Sequence, residues 1–210
     1  MNNEIWAVPL PSSPEILKRK KLAIKTYAAL MLYSNWGGEM FNRNTRFIYD
    51  NKLSENTDEI LTMLNISRGT LRNHLSNLRS SKEIFKIKMI KDKLVYILTP
   101  KDKDGKNFVL IPNDILFKLI SNCNETCIRI YILMCYVCRE GSTQITHQWL
   151  CESIGNSCNS RRLISAAINQ LEDQNLISVQ RIKTVHKTYN EETNKIICNP
   201  KDIHIYSILR

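Results

Sequence analysis

The sequence predicts an α+β, mainly helical fold built from two similar units. Three observations predict it. Apolar residues at helical spacing fill both halves and give way, late in each, to strand-like patterns. The same order of elements, helices followed by a two-stranded ribbon, occurs twice. A charged, glycine-containing stretch, Lys101 to Lys106, separates the two runs. The expected division is therefore residues 1–100, a linker at 101–107, and residues 108–210. With 210 residues, 43% of them hydrophobic, the chain has material for one large domain or two small ones.

The first unit opens on Pro11, Ser12, Ser13 and Pro14. Ser13 suits a helix N-cap and Pro14 a first turn. A helix is expected from Glu15 to about Ser34, with Ile24, Ala28 and Met31 at helical spacing beside Tyr27 and Leu30. Trp36, Gly37 and Gly38 end it. Residues 39–52 are polar, and Thr45 to Tyr49 suits a short strand. Thr57 to Leu64 reads as a short helix with Ile60, Leu61 and Leu64 inward. Asn65-Ile66 is a tight turn, and Ser67 caps a second helix carrying Leu71, Leu75 and Leu78 on one face. After Lys82 the period changes to two: Phe85, Ile87 and Met89 alternate with Lys86, Lys88 and Ile90. Lys91-Asp92 makes a hairpin turn, Leu94 to Leu98 returns as a strand, and Pro100 stops it.

The second unit repeats this order. Phe108 to Ile111 is a strand, Pro112 to Ile120 a helix, and Asn124 to Arg139 a long helix with Ile128, Tyr131, Ile132 and Cys135 inward. Gly141 ends that helix. Thr146 to Ile154 is a short helix closed by Gly155. Ser160 to Gln174 follows, with Leu163, Ala167 and Leu171 inward. Leu176 to Val185 and Ile196 to Leu209 read as strands joined by a polar loop, His186 to Lys195.

Charge narrows the function. Thirty Lys and Arg against twenty Asp and Glu leave +10. Residues 1–105 hold 18 basic and 11 acidic side chains; residues 106–210 hold 12 and 9. A basic balance of this size commonly meets a polyanion. The longest apolar runs, such as Ile130 to Val137, fall far short of the ~18 residues of a membrane span. Asn2, Asn3 and Glu4 interrupt any leader-like apolar run, so a cytoplasmic protein without membrane partners is expected. The seven cysteines (123, 127, 135, 138, 151, 158 and 198) are then most simply reduced thiols.

The segment from Asp58 to Ser81, DEILTMLNISRGTLRNHLSNLRSS, is the most informative in the chain. On a wheel of about 100° per residue, Leu71, Leu75 and Leu78 cluster within about 60°. Gly69, Asn73, Ser76, Asn77 and Ser80 lie opposite, flanked by Thr70 and Arg72. From Ser67 to Lys82 there are four basic residues and no acid. Such a face enters a major groove without charge repulsion. This segment resembles the helix-turn-helix core of winged-helix DNA-binding proteins, with Asn65 where many carry glycine. Asn tolerates the left-handed conformation the turn needs.

That resemblance makes Ser67, Arg68, Gly69, Thr70, Arg72, Asn73, Ser76 and Asn77 candidate DNA contacts. Arg72 suits guanine and Asn73 suits adenine. The ribbon that follows is the wing, with Lys86, Lys88, Lys91 and Lys93 facing DNA or, alternatively, guarding an exposed strand edge. The run Lys18-Arg19-Lys20-Lys21 reads more simply as a solvated helix start. In the second unit the counterparts are Ser160, Arg161, Arg162, Ser165 and Asn169, with Arg181, Lys183 and Lys187 on its wing. This unit either reads a second groove or mediates self-association to a homodimer.

Two such units in one chain resemble the tandem winged-helix replication initiators of plasmids and phages. The resemblance implies sequence-specific binding of double-stranded DNA at an origin, with the replication machinery as a further partner. A transcriptional repressor of a mobile element, acting on transcription machinery, uses the same chemistry. A winged-helix adaptor for protein partners is the alternative of another class. No GxxxxGK[ST], HExxH or GxSxG motif occurs, and no paired-His motif with a tyrosine nucleophile. Asp102 and Asp104 precede Gly105 without the other acids of a calcium loop. The CxxC at Cys135 and Cys138, and the pair His147 and Cys151, fall within helical patterns where thiols commonly act as small hydrophobes. No enzymatic activity, metal or cofactor is therefore expected.

Overall fold

The computed structural model describes residues 7–37, 45–100, 108–138, 141–157, 160–190 and 195–209, with the backbone alone over 182–190 and 195–203. The first half runs β1 (Ala7–Pro11), α1 (Pro14–Leu17), α2 (Ile24–Leu32), β2 (Asn35–Trp36), β3 (Arg46–Tyr49), α3 (Asp50–Glu55), α4 (Thr57–Leu64), α5 (Arg68–Arg79), β4 (Phe85–Ile90) and β5 (Lys93–Leu98). The second runs β6 (Phe108–Pro112), α6 (Asn113–Asn122), α7 (Glu125–Val137), β7 (Ser142–Thr146), α8 (His147–Ser153), α9 (Arg161–Asp173), β8 (Ile177–Asn190) and β9 (Lys195–Ile208). The fold is α+β, with helices packed among small antiparallel sheets.

Among the described residues the sheets are β1-β6, β2-β3-β5-β4 and β7-β9-β8. The first joins the two halves. Val8 lies opposite Ile111, and Leu10 opposite Val109. One apolar core continues across this junction, from Leu10, Leu17, Tyr27 and Leu30 through Leu116 and Ile120 to Ile128, Leu150 and Leu171. Burying each such side chain contributes about 1.5–3 kcal/mol. The expected linker, residues 101–107, lies outside the described residues.

The long helix expected from Glu15 to Ser34 is two helices. Residues 18–23 leave the helical path between α1 and α2. In a continuous helix Lys18 and Lys21, at i and i+3, would lie side by side and repel. The second half then claims the freed backbone. The Arg129 guanidinium, only 5% exposed, donates to the carbonyls of Leu17, Arg19 and Leu22. It also pairs with Glu125 one helical turn earlier at 2.9 Å. Glu125 in turn accepts from the first backbone N–H groups of α2, Ile24 at 2.7 Å and Lys25 at 2.9 Å. Those amides lack helical partners, and a carboxylate beside them also meets the positive end of the helix dipole.

Four further expectations differ. Leu163 is 60% exposed, because the buried face of α9 is Ile164, Ala167, Ile168 and Leu171, one residue further round. Cys135 is half-buried where full burial was expected. Residues 186–190 and Lys195 are paired strand where a loop was expected. Strand pairing uses backbone groups, so a polar segment extends a hairpin without any apolar alternation. The helix α3 and strand β7 were not foreseen; α3 buries only Leu53, too little to show a period.

Candidate nucleic-acid interface

The turn between α4 and α5 is built from its sequence. Asn65 adopts the left-handed conformation at φ 53°, and the Ile66 N–H returns to the Leu61 carbonyl at 3.1 Å. Ser67 Oγ accepts from the Thr70 N–H at 3.1 Å and lies 3.0 Å from the Thr70 hydroxyl. Ser67 and Thr70 therefore cap α5. Leu71 and Leu78 are buried, and His74 Nδ1 sits 2.7 Å from Thr26 Oγ1 on α2. These contacts fix which face of α5 turns outward.

That outward face carries Arg68, Gly69, Arg72, Asn73 and Ser76, all exposed, with Asn77 half-buried beside them. Arg68 is drawn back onto Asp58 of α4 at 2.7 Å, and the carboxylate raises its pKa further above the ordinary arginine value. Arg72, Asn73 and Ser76 form no side-chain hydrogen bond or ion pair among the described residues. A Cβ on Gly69 would meet nothing nearer than Ser67 Oγ at 3.7 Å, so the helix offers bare backbone to whatever approaches there.

The ribbon β4-β5 turns at Lys91 and Asp92, both at positive φ of 48° and 60°. This is the tight hairpin whose twist matches its strands. Lys86, Lys88, Lys91 and Lys93 are all exposed. Lys93 lies 5.8 Å from the Tyr49 ring, a cation–π contact that orients the return strand. Lys18 to Lys21 are exposed on the segment held by Arg129.

In the second half, Arg161 and Arg162 are exposed at the start of α9, and Ser165 is half-buried. Ser160 Oγ lies 3.3 Å from Ser157 Oγ. Asn169 and Arg181 are already engaged. Arg181 donates to Asn169 Oδ1 at 3.1 Å and to both carboxylate oxygens of Glu172. Glu172 raises the Arg181 pKa. Lys183 lies in β8 in register with Asp202 of β9. The side chains of Lys183 and Lys187 lie outside the described residues.

The Glu125–Arg129 pair was missed in the sequence. Its signal was present: two opposite charges at i, i+4 inside a helix otherwise rich in Ile, Leu, Met and Tyr. Arg79 and Lys82, at the end of α5, were also passed over.

Among the described residues, no group of three or more His, Cys, Asp and Glu side chains is arranged to hold a metal. No described helix is long and apolar enough to cross a membrane. Cys158 lies outside the described residues. Comparison with protein-family models and with curated proteins gives no match.

Proposed function

We propose that this protein binds double-stranded DNA sequence-specifically, as a chain of two winged-helix units whose first unit reads bases. The observation that carries this reading is the outward face of α5. It is exposed, free of acids, rich in small polar groups and held in place by buried leucines on its far side. Entering a major groove, Arg72 donates a bidentate pair to guanine O6 and N7, and Asn73 pairs with adenine N6 and N7. Gly69 lets the helix backbone approach closely. Lys86, Lys88, Lys91 and Lys93 lie along the phosphate backbone and add affinity without base preference.

The role we propose is origin recognition in the manner of a plasmid or phage replication initiator, with the second unit reading an adjacent groove or joining a second copy. Selection from random duplexes at about 150 mM salt tests both levels. Enrichment of a bipartite site, its elements about 10 base pairs apart, is the expected result. Direct repeats support the initiator; an inverted repeat makes the protein a dimeric transcriptional regulator instead. No enrichment, with log affinity nearly independent of log salt, removes the DNA reading and leaves the adaptor for protein partners.

A further inference from the structure

At the foot of α5, a groove of about 280 Å³ is lined by Arg79, Lys82, Phe85, Lys86, Ile87 and Lys88. Four basic residues and two apolar ones share its lining. We propose that this groove holds a phosphodiester of the DNA backbone and sets how deeply α5 seats in the major groove. The inference rests on the DNA-binding reading and adds Arg79 and Lys82 to the interface.

Between Ser67 and Lys91 the single acidic residue is Glu83, and Arg19 from the α1–α2 segment pairs with it. Arg19 also reaches Ser81 Oγ at 3.5 Å. That carboxylate is thus paired with a residue outside the groove, and the groove lining keeps four basic residues. Each pair of cations has a separate structural explanation. Arg79 and Lys82 complement the negative end of the helix dipole. Lys86 and Lys88 lie on β4, the outer strand of its sheet, where lysines discourage edge pairing. Neither explanation brings the two pairs together on one cleft. Convergence costs repulsion, which an anion between them turns into attraction.

The apolar lining identifies the class of anion. Phe85 is only 1% exposed, and Ile87 is half-buried beside it. An apolar lining lowers the local dielectric and strengthens each charge contact. The half-buried Ile87 also suits the deoxyribose carbons on either side of a phosphodiester, which a free inorganic ion lacks. The groove continues directly from the last turn of α5 into the ribbon, so a backbone held there runs beside the helix that reads bases.

The test is binding of the full chain to a labelled selected duplex and to a scrambled duplex, each across a salt series. In an Arg79→Gln/Lys82→Gln variant, affinity falls about tenfold and equally on both duplexes. The slope of log K against log salt becomes shallower by about 0.9, the share of one phosphate. Base preference stays intact. The charge-keeping variant Arg79→Lys/Lys82→Arg retains the wild-type slope, which separates a charge effect from a folding defect. An unchanged slope in the Gln variant, with wild-type DNA binding present, overturns the groove assignment alone. Loss of base preference at unchanged slope overturns it as well. Absence of DNA binding by the wild type overturns the functional reading beneath it.

Discussion

Helices α5 and α9 have the same plan and different surfaces. Counting from Ser67 and Ser160, the apolar anchors fall at equal offsets: Leu71, Leu75 and Leu78 in one, Ile164, Ile168 and Leu171 in the other. The outward positions diverge. Arg68, Gly69, Arg72, Asn73 and Ser76 correspond to Arg161, Arg162, Ser165, Ala166 and Asn169. The residue best suited to adenine in α5 is therefore alanine in α9. Thr70, which completes the cap of α5, corresponds to the exposed Leu163. Arg181 holds both Asn169 and Glu172, whereas Arg72 and Asn73 have no such partner among the described residues. Equal packing thus leaves Arg72 and Asn73 of α5 open for hydrogen bonding and Asn169 of α9 satisfied from within.

Both helices pack into one continuous apolar core, and the largest expected effect breaks the contacts that join its halves. Arg129→Met removes the donor to three carbonyls and leaves Glu125 without its cation. A loss of about 3–5 kcal/mol is expected in urea unfolding, in a single transition that takes both halves down together. Two separated transitions would show instead that the halves fold independently.

Gly155→Ala acts on the same junction from the other side. Gly155 has φ +76°, and a Cβ there would lie 2.3 Å from the Lys18 carbonyl oxygen. The expected cost is about 1–3 kcal/mol of stability, measured by thermal unfolding. A neutral result would mean that Lys18 and Gly155 separate freely in solution.

Asn73→Ala and Asn169→Ala address the two surfaces directly. The first is expected to weaken a selected site by about 1–3 kcal/mol and to relax preference at one base pair. The second should change little, because Asn169 is already bonded to Arg181. Equal losses in a competition assay would make the two helices equivalent readers and end the distinction.

The smallest effect sharpens the comparison. Glu172→Gln releases Arg181 from its carboxylate. If the second unit lies on DNA, the salt dependence steepens by up to about 0.9, one additional phosphate. An unchanged slope places β8 away from the DNA.

Legibility in the sequence followed local physics. The α4–turn–α5 segment was readable because each part has its own signal: acids in the first turn of α4, Asn65 at positive φ, Ser67 as a cap, leucines at helical spacing. The Lys91-Asp92 turn was readable for the same reason. Leu163 was misplaced because a one-residue rotation changes a helix face while leaving its period intact. The polar reach of the β8-β9 hairpin was hidden because strand pairing needs no apolar side chain.

By itself the sequence determined the helices with strong periods, the Ser67 cap, the tight turns and the acid-free surface of α5, whereas Ser13 stands at the start of α1 without a side-chain capping bond. These depend on residues a few positions apart, where sterics and capping act. Only the tertiary structure decided that residues 18–23 leave the helix, that Arg129 and Glu125 tie the halves together, that Arg19 covers Glu83, and that Arg181 closes on Glu172. Those contacts join charges distant in the chain. A charge reads as solvated until folding shows which partner lies within hydrogen-bonding distance.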